Sequence, residues 1–122
     1  MNKAVQNLKT ALETLENGNR WTRYTMKRTG RRGELHYCAL GAMAVAEYGG
    51  DSESNFQRTQ VEAIPGIEEL GRAAKLEARE GEFALDPCAV GAIANFNDNV
   101  AAGFSDIEAV FLKAIEYAGE GK

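Results

Sequence analysis

A seven-residue segment that occurs twice constrains how this chain can fold more than any other feature. Residues 38–44 read CALGAMA and residues 88–94 read CAVGAIA, so five of the seven positions are identical. The helical spacing of the small residues predicts two helices, each with one face of small side chains. Because a glycine inside a helix costs about 1 kcal/mol relative to alanine, we infer that Gly41 and Gly91 let two backbones approach closely. Cys38 and Cys88 are predicted to be small, buried, structural side chains.

Periodicity elsewhere in the chain predicts further helices. Apolar residues at helical spacing predict a helix over residues 3–16, with Asn2 as its N-cap and a stop at the following Asn-Gly step. A second helix is predicted over residues 67–80. Ser105 and Glu108 have the spacing of a capping box, which predicts that Ser105 is the N-cap of the last helix.

Residues 20–37 change to a strand-like pattern. Aromatic and β-branched residues favour a strand before a glycine-bounded loop at 29–33, and residues 34–37 alternate polar and apolar. We expect a β-hairpin that lies against the helices or pairs with another chain, since an isolated hairpin is marginally stable. The polar residues 51–60 are predicted to form a surface loop. The 122 residues are therefore predicted to form a single domain, 1–122, of the mainly helical α+β class, with four to five helices and one β-hairpin.

The hairpin segment carries a concentration of positive charge. Residues 17–33 contain six basic residues and none of the eighteen acidic ones, although the whole chain has a net charge of −4. Basic residues interleaved with aromatic ones suit nucleic-acid phosphates and bases. They equally suit an acidic protein surface, and a solvated tip without a partner is the third interpretation. Base stacking loses support if Trp21 packs in the core. The candidate binding residues are Arg20, Arg23, Tyr24, Lys27, Arg28, Arg31 and Arg32.

The polar run NFNDN at residues 95–99 is a second candidate site. Asn and Asp favour helix ends through local side-chain to backbone hydrogen bonds, so we expect the run to end the second small-residue helix. The alternative is a polar-ligand site formed by Asn95, Asn97 and Asp98.

Chemistry at the cysteines is a further hypothesis. His36 and Cys38 would share the exposed face of a strand and could form a Cys–His pair, but no third orienting group is apparent. With one His and no Cys-x-x-Cys spacing, we predict no metal site, no cofactor and no catalytic residue.

Four short motifs together resemble a known family. They are Trp21, residues 38–42 (CALGA), residues 96–98 (FND) and the helical residues 106–115. This combination resembles a family of small proteins of unknown function from actinobacteria and their bacteriophages. The resemblance spans most of the chain and implies a bacterial or phage origin, but no particular activity.

Three functions remain open from the sequence. The first is a non-enzymatic interaction protein, such as a bacteriophage-encoded modulator of a host protein, which would use the hairpin and the loop at 51–60. The second is a nucleic-acid-binding accessory protein, and the third is a small-ligand-binding protein or an enzyme. We expect no membrane partner and a cytoplasmic location, because the chain has no apolar run of membrane-spanning length and no apolar N-terminal leader. A homodimer formed through the hairpin edge is also consistent with the pattern.

Overall fold

Helices form most of the protein described by this computed structural model, which covers residues 2–23, 27–49, 61–77 and 89–120. The helices in these ranges are α1 (Lys3–Thr14), α2 (Ala39–Tyr48), α3 (Ile67–Glu77), α4 (Ala89–Asn95) and α5 (Phe104–Glu120). The strands β1 (Lys27–Thr29) and β2 (Leu35–Tyr37) form an antiparallel hairpin. The predicted mainly helical α+β fold with one hairpin is confirmed.

The first helix begins where its sequence predicts and ends at Thr14, two residues before the predicted end. The Asn2 side chain accepts a hydrogen bond of 2.8 Å from the backbone N–H of Val5, which has no partner within the helix. A 3-10 turn at Glu16–Gly18 follows, in which Asn17 and Gly18 have φ values of 57° and 95°. Asn and Gly adopt this left-handed conformation at low cost, so the Asn-Gly step turns the chain out of the helix.

One hydrophobic core receives side chains from all five helices. Helix α1 packs against α2 and α5, while α3 packs against α4 and α5. Leu8, Met43, Leu70 and Phe111 are among the most deeply buried side chains. A void of about 10 Å³ lies beside Phe96, which is too small for more than one water molecule. The core around Phe96 is therefore filled.

The hairpin lies against this core through β2. Tyr37 is buried, and Leu35 packs against the core cluster. On the side of β2 away from β1, the backbone N–H of Tyr37 donates to Arg20 O at 2.7 Å, and Thr22 N–H donates to Tyr37 O at 3.0 Å. Trp21 thus forms an isolated parallel bridge with Tyr37 instead of extending β1. The outgoing strand is shorter than predicted because residues 20–22 pair with the opposite edge of β2.

Helix α4 ends at Asn95, close to the predicted position, but the predicted break of the chain within the polar run at 95–99 is wrong. The backbone continues from α4 through a π-helical turn at Phe96–Val100, which is followed by a hydrogen bond from Ala101 N to Phe96 O at 2.9 Å. Local propensity favours a break only when the polar side chains bond their own backbone. Here the side chain of Asn97 binds distant segments instead, as described below.

The predicted start of the last helix is also wrong. Helix α5 begins at Phe104, so Ser105 lies inside it rather than at the N-cap. Asp106 instead accepts a hydrogen bond of 2.8 Å from the backbone N–H of Ala102. An acidic residue in the first turn also interacts favourably with the positive end of the helix dipole.

Some predicted features lie outside the described residues. They are the loop at 51–60, Tyr24, Cys88 and the last three residues of the helix predicted at 67–80. Among the described helices, none combines the length and the apolar character needed to cross a bilayer.

A close contact between two helices occurs at Gly71 of α3. A Cβ atom on Gly71 would lie 2.5 Å from the Cβ and 2.7 Å from the Cα of Ala89 in α4. Ala89 belongs to the repeated segment, so the repeat does supply a small residue at a tight helix crossing. Of the two glycines singled out by the sequence, Gly41 is buried in α2 and Gly91 is half-buried in α4. The tight contact with α3 thus involves a third glycine.

We expect Gly71→Ala to lower the free energy of unfolding by roughly 1–3 kcal/mol, because the added methyl group meets the backbone of Ala89, which cannot rotate away. Urea denaturation measures this difference. Gly119→Ala in α5 is the matched control, since nothing lies within 4 Å of its added Cβ. That change should leave stability equal or raise it by up to about 1 kcal/mol. Equal stability of the two variants would contradict the close contact.

Candidate functional site

Three distant segments meet at one buried side chain, that of Asn97, which is 1% exposed. Its Oδ1 atom accepts hydrogen bonds from Trp21 Nε1 at 2.8 Å and from the backbone N–H of Ala39 at 3.0 Å. Its Nδ2 atom donates to Thr22 O at 3.1 Å and to Asp98 Oδ1 at 2.9 Å. We refer to Trp21, Thr22, Ala39, Asn97 and Asp98 as the Asn97 junction.

The amide of Asn97 uses its full hydrogen-bonding capacity in this junction. A carboxamide has two acceptor sites and two N–H donors, and all four are occupied. The bond from Ala39 also satisfies one of the unpaired N–H groups at the start of α2. No donor or acceptor of Asn97 is left for a ligand. The polar-ligand hypothesis for Asn95, Asn97 and Asp98 therefore loses its central residue, and the junction acts as a structural connection.

Asn97→Ala should lower the free energy of unfolding by roughly 2–5 kcal/mol. The change leaves the indole N–H of Trp21 and the backbone N–H of Ala39 buried without an acceptor, and it opens a small cavity. The measurement is equilibrium urea denaturation followed by Trp fluorescence. Asn99→Ala is the control, because Asn99 is exposed in the same turn and should change stability by less than about 0.5 kcal/mol. A small effect at both positions would show that the junction does not support the fold.

Cys38 is the N-cap of α2, with its Sγ atom 3.4 Å from the backbone N–H of Gly41. Cys38 is buried, as predicted, with 5% of its surface exposed. The alternative, an exposed strand face shared with His36, is wrong because Cys38 begins a helix rather than continuing β2. Burial, with a smaller contribution from the charge of Asp98, raises the pKa of the Cys38 thiol from 9.0 to about 11. The thiolate is the reactive form, so this thiol is inert near neutral pH.

His36 pairs with Glu34 rather than with Cys38. The Nε2 atom of His36 lies 3.3 Å from Glu34 Oε1, and its side chain is only 14% exposed. No hydrogen bond joins His36 and Cys38 in the described part of the chain. The Cys–His pair therefore lacks the hydrogen bond that nucleophilic catalysis needs.

The Cys38 thiol predicts a specific loss of stability at high pH. The unfolded chain releases the thiol proton near pH 9, whereas the folded chain holds it to about pH 11. The unfolded state therefore binds fewer protons between these values, and stability falls by roughly 2 kcal/mol as the pH rises through this range. Urea denaturation of the wild type and of Cys38→Ser at pH 8, 9, 10 and 11 isolates this contribution. Parallel pH profiles for the two proteins would contradict the raised pKa.

Arg23 belongs to the surroundings of the junction rather than to an open basic surface. Its Nη2 atom donates to Ala101 O at 2.6 Å, and its guanidinium carbon lies 4.8 Å from the centroid of the Trp21 ring. The ring of Phe104 packs against the same indole at a centroid distance of 6.1 Å. These contacts occupy Trp21, so it does not provide an open platform for base stacking.

The exposed positive charge lies at the tip of the hairpin. Arg28, Arg31 and Arg32 are exposed, and we refer to these three residues as the arginine tip. Within the described ranges, no carboxylate lies at ion-pair distance from their guanidinium groups. Arg20, by contrast, forms an ion pair with Glu16 at 3.0 Å. Of the other candidate residues, Tyr24 and the side chain of Lys27 lie outside the description.

Glu34 shapes the turn beneath the arginine tip. Its Oε2 atom accepts a hydrogen bond of 3.0 Å from the backbone N–H of Arg32. A hydrogen bond from its own backbone N–H, followed by one from His36, holds the pKa of the Glu34 carboxyl below its ordinary value. The carboxylate is therefore ionised and hydrogen-bonded to the turn backbone.

A groove of about 580 Å³ beside α3 is a surface feature that sequence reasoning missed. Its lining includes Glu62, Glu68, Arg72, Lys75 and the exposed Leu76. Acidic and basic side chains are balanced there, so charge does not indicate a class of ligand. Among the described residues, no group of three His, Cys, Asp or Glu side chains could hold a metal ion.

Comparison with known protein families gives a match, and it covers all the residues of the Asn97 junction. A family of unknown function (DUF6197) matches residues 1–117. The chain belongs to this family. The matched range includes the whole Asn97 junction and the arginine tip, so both lie within the family domain. No curated protein and no solved structure matches the chain.

Proposed function

We propose that this protein is a non-enzymatic interaction protein that binds an acidic surface of a partner protein through its arginine tip. The observation that supports this proposal most directly is the exposure of Arg28, Arg31 and Arg32 within five residues. No described carboxylate lies at ion-pair distance from their guanidinium groups. Arginine is suited to this role because its planar guanidinium group binds carboxylates in a bidentate geometry. Complementary charge also accelerates encounter with the partner.

The anchoring of the hairpin supports a binding role. β2 pairs with β1 on one edge and with residues 20–22 on the other, and Trp21 is in turn bonded to Asn97. The base of the hairpin is thus fixed to the helical core while its tip is exposed. A charged surface on a fixed base loses little conformational freedom on binding, which favours affinity.

A nucleic-acid partner is the alternative, since the arginine tip alone could contact phosphates. Two observations favour a protein. The indole of Trp21 is occupied by Arg23 and Phe104, so the expected stacking residue is not open. Because the net charge of the chain is −4, the rest of its surface would repel a polyanion such as a nucleic acid.

An enzymatic or small-ligand function has weaker support from the described residues. The Cys38 thiol is protonated near neutral pH because burial raises its pKa to about 11, and the amide of Asn97 is fully hydrogen-bonded. The groove beside α3 is one place that remains for a ligand.

We further propose, on the resemblance to actinobacterial and phage proteins, that the partner is a host or phage protein in the bacterial cytoplasm. A phage-encoded modulator of a host protein fits a small acidic chain with one basic binding surface. We propose that residues 1–122 act as a single domain, which the family match over 1–117 supports.

The test is capture of partners from actinobacterial lysate by the tagged protein, with and without nuclease. Replacing Arg28, Arg31 and Arg32 with Gln should reduce recovery of a discrete protein at least about tenfold, because several charge-assisted contacts are lost together. Recovery should survive nuclease and weaken as salt increases.

The control is a second triple variant that loses three positive charges from another surface. Lys3, Lys9 and Lys113 are exposed on α1 and α5, and their replacement with Gln should leave recovery unchanged. Recovery that disappears with nuclease would favour the nucleic-acid alternative. Recovery that is equal in the two triple variants would contradict a role for the arginine tip.

A further inference from the structure

The register of the hairpin shows which backbone groups of β1 point away from β2. Gly30 N–H donates to Glu34 O at 2.7 Å, and bonded and non-bonded pairs alternate along an antiparallel ladder. Arg28 is therefore bonded to its partner in β2, while Lys27 and Thr29 occupy non-bonded pairs. In those two residues the N–H and C=O groups point outward.

The opposite edge of the hairpin confirms this register. Tyr37 is the partner of Lys27, and its N–H and C=O groups do point away from β1, where they bond Arg20 O and Thr22 N–H. The outward groups of Lys27 and Thr29 have no such partner among the described residues. An edge with unpaired N–H and C=O groups is a template for another strand.

We propose that an extended acidic segment of a partner protein adds to the outer edge of β1 as a third strand. This inference rests on the proposed function and specifies how the partner binds. Lys27 and Thr29 offer two N–H donors and two C=O acceptors to the added strand. The arginine tip supplies guanidinium groups for acidic side chains of the same segment. Recognition by strand addition draws affinity from the main chain and selectivity from the side chains.

Charge argues against a second copy of this chain as the added strand. Antiparallel pairing of two β1 edges about Arg28 would place two arginine side chains directly opposite each other. Like charges at directly opposite positions destabilise a strand pair. The edge therefore favours an acidic strand over the self-pairing that a homodimer through the hairpin would require.

The experiment uses two synthetic peptides with the same charge. One alternates glutamate and valine, and the other has the same residues with every backbone amide N-methylated, so that neither of its edges can donate a hydrogen bond to β1. Fluorescence anisotropy with the full-length protein measures both dissociation constants. We expect the unmodified peptide to bind about threefold to tenfold tighter for each backbone hydrogen bond that methylation removes.

Thr29→Pro tests the same contact from the protein side. The proline removes an outward N–H without breaking a bond to β2, and proline is tolerated on edge strands in this orientation. The variant keeps every charge, so it should weaken binding of the unmodified peptide about threefold to tenfold and leave the N-methylated peptide unaffected. Gln replacement of Arg28, Arg31 and Arg32 should weaken binding of both peptides.

The possible results test strand addition and the proposed function separately. Equal affinity for the two peptides would overturn strand addition, while binding that depends on the arginine tip would leave the proposed function intact. If neither peptide binds, strand addition is also overturned. The capture experiment then tests the proposed function by itself. Because the peptide comparison uses the wild-type protein, it remains decisive even if Thr29→Pro does not fold.

Discussion

The buried amide of Asn97 is the interaction on which the arrangement of the other elements depends. A buried carboxamide is stable only when its donors and acceptors are paired, since an unpaired buried polar group is costly. Its four partners come from residues 21–22, the start of α2 and the adjacent Asp98. The position of the hairpin base relative to α2 and α4 is thereby fixed. Apolar packing alone would bury these elements without specifying their relative orientation.

This connection divides the basic residues of the hairpin segment into two groups with different roles. Arg23 lies on the Trp21 ring and bonds Ala101 O, so its charge contributes to the attachment of the segment. Arg28, Arg31 and Arg32 extend from the far end of the hairpin into solvent. A fixed base with an exposed charged end is the physical basis of the proposed function. β1 contains Arg28, so its outer edge lies beside the exposed group.

The sequence identified many residues of the site, but it did not predict their roles. The sequence singled out Trp21, Cys38 and the Asn-Asp step as separate features, and their convergence could not be predicted because 76 positions separate Trp21 from Asn97. Helical spacing identified Asn2 as a cap and the small-residue segments as helices, since both signals are local. The π-helical turn at Phe96–Val100 was missed because a tertiary bond, rather than local propensity, uses the side chain of Asn97.

The sequence by itself determined the helical class, the hairpin and the position of its positive charge. These features follow from periodicity, turn residues and charge order, all of which act over a few neighbouring residues. The tertiary structure alone decided which side chains are buried together. It buried the side chain of Asn97 and made Cys38 the N-cap of α2. It also left the outer edge of β1 without a partner strand among the described residues. Those outcomes depend on hydrogen bonds and burial between residues far apart in the chain, which no local pattern encodes.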